Sequence, residues 1–234
     1  MSIFWFILAS AAPVAAPAAS GDVPQALESA WTACRNETGN VSHTDEIKGC
    51  DVLIAARGVD NEIKAIAHAN RGTMMMMMSF FVTAKDEFDR AIKLNPKLAP
   101  AYYSRGLLHQ TLRDAPAAIA DYSAAIAIRP TMVEPYANRG ILYAMAGDND
   151  RALADFTKQI ELESKVADGY SNRAIAYSST GKPDAALADL NYAIGIAPNN
   201  PDLYRDRAEL FQKMGREVDA KADMSRAAGL TKTP

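Results

Sequence analysis

Residues 133–166 read VEPYANRGILYAMAGDNDRALADFTKQIELESKV, and their pattern indicates the architecture of most of the chain. In its first half, Tyr136, Gly140 and Tyr143 recur at helical spacing, which is typical of one face of an amphipathic helix. Gly147-Asp-Asn-Asp then supplies a turn. A second stripe follows at helical spacing: Ala152, Phe156, Gln159 and Ile160. The stretch therefore predicts two amphipathic helices joined by a tight turn.

The same pattern recurs along most of the chain with a step of 34 residues. The tyrosine column is Tyr102, Tyr136, Tyr170 and Tyr204, and the arginine column is Arg71, Arg105, Arg139, Arg173 and Arg207. The alanine column is Ala84, Ala118, Ala152, Ala186 and Ala220, and the acid column is Glu87, Asp121, Asp155, Asp189 and Asp223. Four independent columns do not stay in phase by chance, so the chain is an array of repeats. The expected repeats are 65–98, 99–132, 133–166, 167–200 and 201–234.

The order of residue types within a repeat resembles the motif of the tetratricopeptide repeat family. In residues 167–200 the matching residues are Tyr170, Ala174, Tyr177, Ala186, Leu190 and Pro198. The resemblance covers about 170 residues and implies an all-α fold, a right-handed α-solenoid of antiparallel helix pairs. It also implies that one small residue per repeat faces the alanine column where paired helices cross most closely, because a larger side chain would not fit there. These small residues are Gly72, Gly106, Gly140, Ala174 and Ala208.

Residues 21–64 lie outside this phase but contain helical patterns of their own. Leu27, Trp31 and Cys34 share one helical face, and a second apolar run surrounds Cys50. We expect an αα-hairpin that caps the first repeat. It is similar to the cysteine-paired leader that precedes the repeats in exported bacterial tetratricopeptide proteins. With the cysteines on facing helices near the loop, we predict a disulfide; two unpaired buried thiols are the alternative.

Residues 1–20 contain no charged side chain. An apolar run leads into an alanine-rich tract with possible A-x-A cleavage sites ending at Ala11 or Ala18. We interpret this segment as a secretory signal peptide. An uncleaved membrane anchor is the alternative, although two prolines and many alanines suit a spanning helix poorly. We therefore expect export to the bacterial periplasm, with membrane contact only through this segment if it is not cleaved.

The composition and the motif search argue against several kinds of function. A net charge of -3 without a basic block gives no electrostatic reason to bind nucleic acid. The sequence contains no P-loop, HExxH, GxSxG or CxxC motif. Its three histidines, His43, His68 and His109, are dispersed, and packing is the preferred role of the last two. We therefore expect no catalytic residue, cofactor, metal or small-molecule substrate.

The arginine and acid columns place opposite charges on the packing sides of paired helices. One interpretation is a cationic ladder for an anionic ligand; the other is an ion pair repeated in every unit of the array. We favour the ion pair because a charge near a helix seam is costly unless it is paired. The predicted pairs join Arg105, Arg139 and Arg173 to Asp121, Asp155 and Asp189, within one repeat or between neighbours.

In the tetratricopeptide family the first helices of successive repeats line a concave ligand groove. By this resemblance the groove residues are Thr73, Met76, Met77, Tyr103, Leu107, Gln110, Thr111, Ile141, Met145 and Ile175. We expect the apolar members from Met76 to Met145 to form one continuous exposed surface, suited to an adaptable peptide contact. The alternative is that the methionines only pack beneath the hairpin. Asn70, Asn138 and Asn172 match one position of the family's carboxylate clamp, but its basic residues are missing.

The expected function is therefore that of a non-catalytic scaffold or adaptor that binds another protein or peptide in this groove. The competing hypothesis is a structural subunit that assembles through its carboxyl-terminal end, where Lys232 stands in place of the repeat's proline. An enzyme is disfavoured because the repeats fill the chain and the catalytic motifs are missing.

Overall fold

The computed structural model describes residues 25–36 and 40–231. The predicted signal peptide, residues 1–20, lies outside the described residues. Within them the regular structure is twelve α-helices and one short 3-10 helix, Gln25–Leu27, without any strand. None of the described helices is both long and apolar enough to cross a membrane. The all-α fold predicted from the repeat pattern is confirmed.

The helices pack as consecutive antiparallel pairs. The hairpin pair is α1 (Glu28–Arg35) and α2 (His43–Ala55). The first two repeats are α3 (Asn61–Met77) with α4 (Phe81–Leu94), and α5 (Ala99–Thr111) with α6 (Ala115–Ile128). The other three are α7 (Glu134–Met145) with α8 (Asn149–Leu162), α9 (Ala167–Ser179) with α10 (Pro183–Ile196), and α11 (Pro201–Lys213) with α12 (Glu217–Leu230).

The chain divides into two compact units. The amino-terminal unit ends at Pro130 and holds α1 to α6, and the carboxyl-terminal unit starts at Thr131 and holds α7 to α12. In each unit the second helix of a pair also contacts the first helix of the next pair, as α4 contacts α5 and α8 contacts α9. Neighbouring first helices touch as well, α3 with α5 and α9 with α7 and α11.

A left-handed residue closes the turn inside each repeat. Gly147, Gly181 and Gly215 have φ of 79°, 71° and 73°, a conformation that glycine adopts without steric cost. The corresponding residues of the first two repeats are Ser79 and Arg113, with φ of 64° and 62°. A side chain in this region costs roughly 1–2 kcal/mol, so the two turns of the amino-terminal unit carry strain that the later turns avoid.

Where the paired helices of the first three repeats cross, a glycine lies against an aromatic ring. A Cβ atom placed at Gly106 would lie 2.6 Å from the Tyr122 ring, and one at Gly140 would lie 2.7 Å from Phe156. The same holds for Gly72 and Phe88, at 2.8 Å. The atoms nearest each glycine belong to the ring one turn after an alanine of the column, and this ring occupies the space that the glycine leaves.

At the equivalent helix crossing, the fourth repeat has an alanine and a leucine in place of the glycine and the aromatic ring. Ala174 shares one buried cluster with Ala186 and Leu190, so the small residue of this repeat packs near the alanine column. Leucine replaces the aromatic ring, and alanine replaces the glycine opposite it. The volumes on the two sides of the crossing therefore change together, as close packing requires.

The predicted hairpin disulfide is confirmed, and it occupies this same crossing position. Cys34 and Cys50 are bonded with a Cα–Cα distance of 4.7 Å and a separation of 16 residues.

The hairpin also resembles a repeat in its residue spacing. Gly72 and Phe88 have the same separation of 16 residues as the two cysteines. Cys50 precedes Phe88 by 38 residues, and Asp51 precedes Asp89 by the same number. Because α3 begins one turn early, at Asn61, the hairpin is a further repeat-like pair that is shifted out of the 34-residue phase. The expected boundary after residue 64 therefore falls inside α3.

Candidate functional site

The predicted ion pairs are confirmed, and each lies within one repeat. Arg105 donates from Nε and Nη2 to both carboxylate oxygens of Asp121, at 2.9 and 2.7 Å. The other bidentate pairs are Arg139 with Asp155, Arg173 with Asp189, and Arg207 with Asp223. All four carboxylates are buried. The pair joins the first helix of a repeat to the second, as a repeated structural element.

The remaining guanidinium nitrogen reaches back to the preceding repeat. Arg105 Nη1 donates to Asp89 at 2.6 Å, and Arg207 Nη1 donates to Asn191 at 2.7 Å. Hydrogen bonds to Asp121 raise the pKa of Arg105 against the effect of burial, and the bond to Asp89 raises it further. These arginines hold neighbouring repeats together, so they are not a free cationic ladder for an anionic ligand.

In the first repeat, His68 joins the equivalent pair. Its Nδ1 lies 2.8 Å from Glu87 Oε2, and the same carboxylate accepts hydrogen bonds from Arg71 and Arg90. Burial raises the pKa of Glu87, but the bonds from His68 and Arg71 outweigh it, so the pKa lies below its ordinary value. His68 is buried, which confirms its predicted packing role.

Four of the predicted groove residues are buried: Thr73, Met76, Tyr103 and Leu107. The expected continuous exposed apolar surface is therefore wrong for its three members among them, Met76, Tyr103 and Leu107. Tyr103 is only 7% exposed, and its ring lies 5.9 Å from that of Tyr122. Thr73 donates its hydroxyl to Ala69 O inside its own helix. Tyr122 lies on α6, the partner helix of the same repeat, so the packing of the helix pair itself covers Tyr103, and α3 and α5 also touch each other.

The other predicted groove residues keep part of their surface. In the amino-terminal unit, Met77 and Thr111 are exposed, and the half-buried Gln110 accepts a 2.6 Å hydrogen bond from Tyr122. In the carboxyl-terminal unit, Met145 is 60% exposed and Ile175 is 39% exposed. Ile141 is half-buried. Each unit therefore presents its own set of available first-helix residues.

The methionine run and the clamp asparagine belong mostly to the interior of the amino-terminal unit. Met74 and Met76 are buried whereas Met77 and Met78 are exposed, so the run divides between core and surface. Asn70 is fully buried and donates from Nδ2 to Cys34 O at 3.0 Å. This bond fastens the hairpin to α3 and leaves Asn70 no role as a ligand clamp.

Sequence reasoning missed a group of carboxylates on α9 and α11, which we call the acidic surface: Asp168, Asp202, Asp206 and Glu209. Ser171 on α9 donates its hydroxyl to Asp206 Oδ2 on α11 at 2.6 Å, which fixes the two helices face to face. Asp168 and Asp202 occupy the same repeat position, as does Glu134 on α7. This column was visible in the 34-residue phase. Among the described residues, no group of histidine, cysteine and carboxylate side chains is arranged to hold a metal.

Comparisons with known proteins agree with this architecture. The tetratricopeptide repeat model matches residues 99–132 and 167–200, the second and fourth repeats. No curated protein matches the chain. A tetratricopeptide repeat protein from Parabacteroides merdae ATCC 43184 has a similar structure, with a TM-score of 0.72 at 22% identity over 90% of this chain and 82% of its own.

Two further solved structures show the same fold at lower identity. One is MamA, from residue 41 to its end, from Desulfovibrio magneticus RS-1. Its TM-score is 0.67 at 12% identity, over 72% of this chain and 95% of its own. The other is YrrB, a tetratricopeptide repeat protein with an unusual peptide-binding site. Its TM-score is 0.63 at 16% identity, over 71% of this chain and 86% of its own. At these identities the likeness concerns the fold.

Proposed function

This chain is a tetratricopeptide repeat protein, and we propose that it is a non-catalytic scaffold that binds a partner protein or peptide on its first helices. Tetratricopeptide proteins generally act as interaction scaffolds, and YrrB carries a peptide-binding site. The arginine–aspartate pairs support the non-catalytic part of this proposal, because the most strongly polar side chains of the repeats are used to hold paired helices together.

The observation that carries the proposal is the set of apolar side chains that helix packing leaves available in the carboxyl-terminal unit. Met145 and Ile175 are exposed on α7 and α9, two first helices in contact with each other. Both occupy family ligand positions, and both lie where the packing of helix pairs does not need them. Exposed apolar residues on neighbouring first helices are candidates for such an interaction surface.

Export to an oxidising compartment, the bacterial periplasm, is part of the same proposal. The Cys34–Cys50 disulfide supports it, because disulfides persist in exported proteins and are rare where thiols are kept reduced. The uncharged residues 1–20 support it from the sequence. Detection of the mature protein in a periplasmic fraction, with no free thiol, would be the expected result.

The test is partner capture with single substitutions. Tagged protein is used to capture its partner from periplasmic extract, and the Ile175→Glu and Met145→Glu variants should lose it while their circular dichroism stays unchanged. Val82→Glu is the matched control, since Val82 is exposed on the second helix α4. Retention of the partner by both variants would place the binding surface elsewhere.

A second candidate is assembly through the outer face of α12. Met224 is 49% exposed, whereas its counterpart Leu190 is 2% exposed and packs in one cluster with Leu210 of the following first helix. No described helix follows α12 to cover Met224. If this face mediates self-association, sedimentation velocity of the purified protein should depend on concentration, and Met224→Glu should abolish the dependence.

A further inference from the structure

The acidic surface occupies one face of two neighbouring first helices. On α9, Asp168, Ser171 and Ile175 are spaced by three and four residues, which places them on one helical face. On α11, Asp202, Asp206 and Glu209 follow the same spacing. The Ser171–Asp206 hydrogen bond joins the two faces at 2.6 Å. The four carboxylates therefore form one patch, with the exposed Ile175 beside it.

Helix stability explains only part of this arrangement. Asp168 and Asp202 lie in the first turns of their helices, where a negative charge is favourable. Asp206 lies in the middle of α11, and Glu209 lies near its end, beyond the reach of that effect. In the amino-terminal unit the repeat position of Asp168 and Asp202 is filled by Ile66 and Pro100, both buried. The acids are thus a property of these repeats, not of the fold.

The negative charge of the patch is only partly compensated. Arg205 pairs with Asp202, and Lys213 pairs with Glu209 at 2.9 Å. In the described part of the chain, neither Asp168 nor Asp206 forms an ion pair.

The surroundings raise the pKa of both unpaired carboxyls. Desolvation raises the pKa of Asp168, and the charge of Asp202 adds to the rise. Burial is also the main cause that raises the pKa of Asp206, and Asp202 and Glu209 add to it. The hydrogen bond from Ser171 and the charge of Arg205 oppose this rise without cancelling it. Because their surroundings destabilise the charged form of these carboxyls, a positive charge placed beside them would be stabilising.

We propose that the carboxyl-terminal unit binds a cationic peptide segment, whose lysine or arginine side chains meet Asp168 and Asp206 while an apolar side chain contacts Ile175. The inference rests on the proposed function and names the chemistry of the partner. Charge complementarity selects this occupant: a peptide carboxylate, a nucleic acid or an anionic lipid surface would be repelled by the same carboxylates. The exposed isoleucine favours a peptide with both basic and apolar residues over a small cation.

The test uses three labelled peptides in which leucine alternates with lysine, glutamine or glutamate. Fluorescence anisotropy should show that the purified protein binds the lysine peptide most tightly at low salt. The Asp168→Asn/Asp206→Asn double variant should weaken this binding roughly fivefold to tenfold, since two charge pairs with the peptide are lost. At about 0.5 M salt the difference should shrink, because a Debye length of about 4 Å screens the pairs.

The matched control is Asp150→Asn/Asp184→Asn, which removes two exposed carboxylates from the first turns of α8 and α10. Equal weakening by both double variants would show a general effect of net charge and overturn the inference. So would equal binding of the glutamine or glutamate peptide, or failure of the protein to bind any of the three. In these cases, partner capture that is lost in Ile175→Glu would still support the proposed function.

Discussion

The two units are built from the same repeat but differ in which first-helix residues are exposed. In the amino-terminal unit, equivalent first-helix positions hold Thr73 and Leu107, which are buried; in the carboxyl-terminal unit they hold Ile175 and Glu209, which are exposed. The amino-terminal unit also contains the disulfide and two of the three crossings that set a glycine against an aromatic ring. A repeat position therefore does not determine the exposure of its residue by itself.

The largest expected difference separates Tyr103→Glu from Ile175→Glu. Tyr103 is buried against Tyr122, so the substitution removes aromatic packing and buries a charge, at a cost of about 4 kcal/mol or more. Ile175 is exposed, and its substitution should change the free energy of unfolding by less than about 1 kcal/mol. Urea titrations followed by circular dichroism measure both. Similar losses for the two variants would erase the contrast between the units.

The disulfide should stabilise the amino-terminal unit substantially. Closing the loop between Cys34 and Cys50, 16 residues apart, contributes about 3 kcal/mol in the chain-entropy model. The Cys34→Ala/Cys50→Ala variant should lose this amount in urea, and a reductant should destabilise the natural protein but not the variant. Because the hairpin contacts α3, hydrogen exchange should accelerate first in α1 to α3. Uniform acceleration in both units would contradict this assignment.

The ion pairs should differ in cost because their third contact differs. In the natural protein the hydrogen bond of Arg173 to the preceding repeat is a long 3.4 Å bond to Thr157, so we expect Asp189→Asn to cost about 3 kcal/mol. Asp121→Asn leaves Arg105 bonded to Asp89 at 2.6 Å, and the loss should be smaller. Thermal and urea unfolding of the two variants rank these costs. The opposite order would mean that contacts to the preceding repeat do not stabilise the arginine.

Two substitutions can convert a glycine–aromatic crossing of the amino-terminal unit into the alanine–leucine crossing found in the carboxyl-terminal unit. Gly106→Ala puts a Cβ atom 2.6 Å from the Tyr122 ring, so overpacking should cost roughly 1–3 kcal/mol. Adding Tyr122→Leu reproduces the Ala174–Leu190 pair and should recover part of that loss. A double-mutant cycle of unfolding free energies detects this coupling. Additive losses would show that the small and large residues at a crossing are independent.

Much of this fold could be predicted from residues that recur. The 34-residue columns predicted the helix pairs, and the opposite charges of Arg105 and Asp121 predicted their pairing. The repeat-like nature of the hairpin was hidden, because one extra turn in α3 shifts its residues by 38 rather than 34. The burial of Tyr103 and Leu107 could not be derived, since it depends on contacts in the folded array such as that of Tyr103 with Tyr122. The column of Glu134, Asp168 and Asp202 was readable, but the Ser171–Asp206 contact needed three-dimensional structure.

The smallest expected effect concerns Asp206, the mid-helix acid of the acidic surface. Its folded pKa is raised, above all by burial, so at neutral pH its charge opposes folding. Asp206→Asn should therefore raise the melting temperature modestly at neutral pH. As the pH falls through the folded pKa of Asp206 towards its unfolded value, the natural side chain becomes protonated in both states, and the advantage of the variant should disappear. The exposed Asp184→Asn serves as the control and should show no such trend. Melting curves across this pH range decide the matter. A variant that is less stable than the natural protein at neutral pH would mean that the Ser171 hydrogen bond outweighs the cost of the charge, and that this carboxylate is structural like those of the ion-pair column.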